Sequence, residues 1–310
     1  MMGLATRDAY GKTLIELGRL DKNVVVLDAD LSKSTKTAGF AKEFSNRFIN
    51  VGIAEQNLMG ISAGLATTGK IPFASTFAVF ATGRAYEIIR NSICYPNLNV
   101  KIAATHAGIT VGEDGGTHQS IEDIALMNSL PNMSVFVPAD ARETEAIIKF
   151  ASQNQGPMYI RLGRLATQDI FYDDYEFKFG KGIKLSEGND VAIITTGMLT
   201  AIAKEAIKVL HKDGINARLI HIPTIKPIDR EIIAQAAKET SFIVTAEEHS
   251  IIGGLGSIVA SVTSETYPTK VVKLGINDVF GESGLPHELM SKYGLTVENI
   301  VNSVKRNITK

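Results

Sequence analysis

Residues 48–80 read FINVGIAEQNLMGISAGLATTGKIPFASTFAVF, and this stretch decides the fold. A short β-rich run, Phe48–Val51, leads into an apolar helical pattern at 54–68. A second β-rich run, Ile71–Ser75, follows, and a new helical pattern opens at 77. Near-continuous apolar strands separated by helices predict a parallel sheet covered on both faces. The alternation extends outward. A helical pattern at 4–20 precedes a strand at Val24–Leu27. Downstream, strands at Val100–Thr105, Ser134–Val137 and Met158–Arg161 alternate with helical patterns at 77–95, 120–129 and 140–154.

Residues 164–189, RLATQDIFYDDYEFKFGKGIKLSEGN, break this pattern with aromatics and charges that follow no period. Alternation then resumes, with strands at Val191–Thr195, Ala217–Ile222, Ser241–Ala246 and Lys270–Leu274 and helices at 199–212, 229–239, 254–265 and 296–309. The expected organisation is α/β with two domains, each a mainly parallel sheet flanked by helices: residues 1–165, a linker at 166–189, and residues 190–310. The 310 residues suffice for two cores of ordinary size.

Composition narrows the function. A formal net charge of −1 offers no concentrated basic face for nucleic acid. No apolar run approaches the roughly 18–20 residues that cross a bilayer, and the N-terminus MMGLATRDAYGK shows no secretion signal. With Cys94 as its single cysteine, the chain has no intrachain disulfide and no multi-cysteine metal site. A soluble, cytoplasmic protein is expected.

In open α/β sheets, ligands sit beyond the carboxyl ends of the strands. The segments there are Asp28–Ser34, Gly52–Asn57, Thr76–Phe80 and His106–His118, and they are also chemically the least ordinary parts of the chain. Glu55 follows a strand and opens a helix among Ile53, Ala54, Leu58 and Met59. It can be an ordinary first-turn glutamate facing a helix dipole, worth ~0.3–1 kcal/mol. Alternatively it enters an apolar site, where desolvation opposes the helix end and the carboxyl can exchange a proton near neutral pH. Phe77 and Phe80, three apart, share a face and form either core or the wall for a flat ring. The loop Thr105–Gln119 holds His106, His118, Glu113, Asp114 and four glycines, which suit close approach to a polyhydroxylated substrate; a metal site is the competitor. Arg161 and Arg164 end a strand, with Arg7 and Ser34 in earlier segments; arginine forks suit phosphate oxygens. Gly253-Gly254-Leu255-Gly256 before a helix is half of a dinucleotide fingerprint, or close packing at a helix start.

Taken in order and spacing, Val51-Gly52-Ile53-Ala54-Glu55-Gln56, Ser75-Thr76-Phe77, Gly112-Glu113-Asp114-Gly115-Gly116-Thr117-His118-Gln119 and Pro131-Asn132-Met133 resemble transketolase over nearly the whole chain. The resemblance is to that family's pyrimidine-binding and C-terminal domains. Its N-terminal, diphosphate-binding domain has no counterpart, and Glu113-Asp114-Gly115 lacks the first glycine of the family's metal motif. The chain therefore looks like the C-terminal half of a split transketolase.

The resemblance implies a thiamine diphosphate enzyme that passes a two-carbon ketol unit from a ketose phosphate to an aldose phosphate. Glu55 matches the catalytic glutamate that hydrogen-bonds N1′ of the cofactor's aminopyrimidine. Phe77 and Phe80 match aromatics packed on that ring, and Asp30 an aspartate near the cofactor. His106, Asp114 and His118 match residues that bind sugar oxygens, and Arg7, Ser34 and Arg164 those that hold the terminal phosphate. One departure is that Gly83 stands where the family often has a third aromatic, and Tyr86, one turn on, is the candidate to rebuild the ring wall. Mg²⁺ or Ca²⁺ is expected mainly on a separate N-terminal subunit, with two such pairs around a two-fold axis. Pentose phosphate interconversion is the default chemistry. Rivals are a 1-deoxyxylulose-5-phosphate synthase, similar at His106-Ala107-Gly108-Ile109, the beta subunit of a 2-oxo-acid dehydrogenase, and a non-catalytic regulatory partner.

Overall fold

The computed structural model describes residues 2–308, so Thr309, the last residue of the expected helix 296–309, lies outside the described residues. Strands β2 (Val24–Asp28), β3 (Phe48–Asn50), β4 (Ile71–Phe77), β5 (Lys101–Thr105), β6 (Ser134–Phe136) and β7 (Met158–Arg161) form a parallel sheet in the order β6-β7-β5-β4-β2-β3. Every residue of β2, β5 and β7 is buried, as a sheet covered on both faces requires. One face packs against Tyr10, Leu14 and Leu17 of the helix Thr6–Leu20 and against Ile147 and Ile148 of the helix Ala141–Gln153. Asp140 fixes the start of that second helix by accepting a hydrogen bond from the Glu143 N–H at 2.9 Å.

Four short strands escape the sequence pattern. Residues Met2–Ala5 form β1 rather than the first turn of the expected helix 4–20, and pair antiparallel with β8 (Ala166–Gln168). Strand β9 (Ile183–Ser186) joins the second sheet. The expected linker is thus structured at both ends, with only its middle irregular. The second sheet orders β9 beside β11 (Ala217–His221), β10 (Val191–Thr195), β13 (Ile243–Ser250) and β14 (Val271–Ile276), all parallel except β9. Strand β12 (Thr224–Lys226) leaves the second domain and adds an antiparallel edge to the first sheet, on β6. One buried cluster runs through both domains, from Leu27, Leu58 and Ile102 to Ile194, Ile220 and Leu255. The two domains therefore share a core.

The register brings the candidate segments together. Asp28 at the end of β2 stands level with Asn50 of β3 and Ser75 of β4, and Phe77 with Thr105 of β5. All four unusual segments thus emerge along one edge of one sheet.

Candidate functional site

Gly52, at φ +72°, turns the chain out of β3 and into the helix Glu55–Thr67. The turn is fixed by the Gly52 N–H donating to Asn50 Oδ1 at 3.0 Å and the Ala54 N–H donating to Gly52 O at 2.8 Å. Glu55 opens the helix with its side chain only 2% exposed, beside the fully buried Leu58 and Met59. Its Oε2 accepts from Arg84 Nη1 at 2.8 Å. Among the described residues Oε1 has no hydrogen-bond partner.

The chain after β4 does not form the regular helix expected at 77–95. The strand runs on to Phe77, and residues Phe80–Arg84 then wind as a π-helix, a geometry common at functional sites. Phe77 and Phe80 lie nearly parallel, with centroids 5.9 Å apart and planes at 10°. His106 stacks on Phe77 at 3.8 Å, and His118 meets Phe80 edge-on at 5.4 Å. Phe77 is thus buried in the stack, while Phe80 is only partly covered. Tyr86 points elsewhere: its hydroxyl bonds Ser129 Oγ at 2.9 Å and its ring packs on the shared core. The hydroxyl of Thr76, next to Phe77, is buried without a partner among the described residues.

A cationic cluster adjoins the aromatic wall. Arg7 Nη1 donates to His106 Nε2 at 2.9 Å and to the carbonyl of Ser34 at 3.2 Å. A guanidinium can only donate, so Nε2 is the acceptor and Nδ1 carries the proton, donating to Thr105 Oγ1 at 2.8 Å. Burial, then the charges of Arg7 and Arg164, push the His106 pKa down to about 3, which keeps the ring neutral. His106 also has φ +59°, an uncommon conformation for a residue with a Cβ. Arg164 donates to Val111 O at 2.5 Å and lies 3.7 Å from Glu113 and 3.9 Å from Asp114. Nε of Arg7 is buried without a partner among the described residues. Asp30 stands at the margin with φ +65° and exchanges two hydrogen bonds of 3.1 Å with the Asn50 side chain.

Two sequence candidates have other work. Arg161 is buried against Asp123 at 2.7 Å, so it is a structural ion pair rather than a phosphate fork. At the start of the helix Leu255–Glu265, the N–H groups of Leu255 and Gly256 are taken by the Glu247 carboxylate at 2.7 and 2.8 Å. A Cβ on Gly254 would come within 2.1 Å of that carboxylate. Close packing, not dinucleotide binding, explains these glycines. Among the described residues no three His, Cys, Asp or Glu side chains group as a metal site, and no helix is long and apolar enough to cross a membrane. Sequence reading missed Arg84, which looks in sequence like one more helix-surface arginine.

Two family models match in succession: "Transketolase, pyrimidine binding domain" over residues 2–169 and "Transketolase, C-terminal domain" over residues 180–300. The chain belongs to the transketolase family. The putative transketolase C-terminal section of Methanocaldococcus jannaschii is 53% identical over 98% of this chain and 96% of its own length. An apulose-4-phosphate transketolase subunit of Phocaeicola vulgatus is 40% identical over 99% of this chain and 98% of its own length. Among solved structures, a split-gene transketolase described as an inactive beta4 tetramer matches with TM-score 0.92 and 61% identity, covering 99% of each chain. Members of the transketolase family use thiamine diphosphate, and the residues present suit half of that cofactor. Phe80 is only partly buried, Glu55 leaves one oxygen of its carboxylate without a protein partner, and the Thr76 hydroxyl lacks a partner among the described residues.

Proposed function

We propose that this chain is the C-terminal subunit of a two-subunit transketolase that moves a two-carbon ketol unit between sugar phosphates. The observation that carries the proposal is the buried Glu55 carboxylate, with one oxygen unpartnered, beside the Phe77–Phe80 stack. When bound, thiamine diphosphate supplies the electron sink for breaking the carbon–carbon bond next to the ketose carbonyl. The protein's share is placement and proton control. Phe77 and Phe80 orient the aminopyrimidine, and Asp30 stands at its edge. Glu55 Oε1 holds the proton at the ring nitrogen N1′, which apolar surroundings and a preset geometry make effective. Tyr86, tied to Ser129, takes no part in the ring wall.

Arg7 and Arg164 set two fixed positive charges beside the neutral His106, and Ser34 completes a pocket for the substrate's terminal phosphate. His118, half-buried and edge-on to Phe80, and the exposed Asp114, beside Arg164, take the sugar hydroxyls. This set favours a phosphorylated sugar over a simple 2-oxo acid. One relative is named for apulose 4-phosphate, so other ketose phosphates belong in the assay. Pentose phosphates are the first substrates to try.

The site is half a site. The diphosphate and its Mg²⁺ or Ca²⁺ need ligands that an N-terminal subunit would bring, and a second copy of the pair would close the assembly. Exposed apolar residues near the site suit such docking: Ile53, two residues before Glu55, is 78% exposed, and Phe280, on the loop packed against Gln119, is 89% exposed. The test is two-carbon transfer from xylulose 5-phosphate to ribose 5-phosphate, assayed with this chain, its candidate N-terminal partner and the mixture. Activity in the mixture alone is expected. An assembled mixture with no activity on any ketose phosphate would refute the proposal.

A further inference from the structure

The Glu55 carboxylate is held by Arg84, a half-exposed residue at the rim of the site. Arg84 closes the π-helical turn Phe80–Arg84, about one turn beyond Phe80, and its guanidinium lies 5.0 Å over the Phe80 ring. From there Nη1 reaches Glu55 Oε2 at 2.8 Å, while the Arg84 carbonyl accepts from Gln56 Nε2 at 3.2 Å. Arg84 is half exposed, Glu55 almost fully buried. A fully exposed pair would contribute little, but here a charge on the rim fixes the orientation of a carboxylate inside. The same guanidinium joins the two groups assigned above to the cofactor ring, Glu55 and Phe80. Among the described residues no other charged group touches Glu55.

We propose that Arg84 is a positioning residue for Glu55: it pins the carboxylate through Oε2 and so presents Oε1 to the cofactor ring. The inference rests on the reading of Glu55 given under Proposed function. Without the pin, the carboxylate keeps its burial but loses its orientation, and a small misplacement at a proton-transfer site costs rate as well as binding.

The experiment uses the assembled two-subunit complex with wild-type chain, Arg84→Gln and Arg84→Lys. Thiamine diphosphate with Mg²⁺ is titrated in by calorimetry, kcat and KM are measured with a ketose phosphate, and the lone chain's melting temperature is recorded. Arg84→Gln is expected to weaken cofactor binding about tenfold (about 1.4 kcal/mol) and to lower kcat, with KM for the sugar and the melting temperature unchanged. Arg84→Lys restores much of the loss, because it keeps the charge but not the planar fork. Unchanged cofactor affinity and kcat in Arg84→Gln would overturn the inference. So would a lowered melting temperature with no rescue by lysine, which would mark Arg84 as structural only. A wild-type complex that fails to bind thiamine diphosphate would instead bring down the reading of the site, and the inference with it.

Discussion

Two groups of buried charges lie near the ends of strands in this molecule, and they are built to opposite rules. At the domain boundary every charge is answered. Asp123 accepts from Arg161 and from the Tyr159 hydroxyl at 2.7 Å, and Arg161 also donates to the carbonyls of Ser120 and Glu248. Glu143 bonds His221 at 2.7 Å and Tyr175 at 2.5 Å, tying the first domain, the linker and the second domain together. At the edge of the first sheet the rule is broken. Glu55 has one partner for two oxygens, Arg7 keeps an orphaned Nε, Thr76 an orphaned hydroxyl, and His106 is held at positive φ. The boundary leaves its charges paired, although the Ser120 hydroxyl there is also unpartnered, whereas the sheet end leaves a carboxylate oxygen and a guanidinium nitrogen without protein partners.

Substitutions on either side should separate these roles. Glu55→Gln is expected to cut two-carbon transfer by the assembled complex by about 10²–10⁴-fold while leaving the melting temperature of the chain unchanged; an active variant would remove Glu55 from the chemistry. Asp123→Asn should do the reverse. It leaves the Arg161 charge buried and unpaired, at a cost of about 3–5 kcal/mol, read as a large fall in melting temperature with kcat per folded molecule preserved.

How far the sequence reached follows the same division. The long elements were legible because burial imposes its period on them: β2, β4 and β5 are largely apolar and buried, and the candidate residues sit at or just beyond strand ends, with Phe77 closing β4, His106 following β5 and Glu55 five residues beyond β3. Short strands such as β8 and β12 were not legible, since three residues carry no period and owe their conformation to partners far along the chain. The residues of 77–95 are helix formers locally, and nothing local announces the π-helical turn that seats Arg84 over Phe80. Arg161 and Arg164 look alike in YIRLGR, and only the fold sends one inward to Asp123 and leaves the other half-exposed beside Asp114.

Smaller effects sharpen the contrast within the open site. Arg164→Ala should raise KM for a phosphorylated ketose by about 10–100-fold, the scale of one charge-assisted contact, and leave activity on the unphosphorylated sugar unchanged. Equal losses on both would place Arg164 outside a phosphate pocket. The smallest effect concerns pH. The His106 pKa is depressed in the folded chain from 6.5 to about 3, so below about pH 6.5 the unfolded chain takes up a proton that the folded chain refuses. The stabilisation is therefore fully present above 6.5 and is lost as pH falls toward 3, by no more than about 1.4 kcal/mol per pH unit. Melting curves between pH 7 and 5 should fall more steeply for wild type than for His106→Asn; parallel curves would contradict the assignment of a buried, neutral His106.

The central question for the molecule is whether this chain carries half of a cofactor site. Thiamine diphosphate with Mg²⁺ should be titrated by calorimetry into this chain alone, into its N-terminal partner alone, and into the mixture. Saturable binding is expected in the mixture at one cofactor per pair of chains, with far weaker binding to either chain alone. A lone chain that binds the cofactor as tightly as the mixture does, or a stable mixture that does not bind it, would contradict the half-site reading.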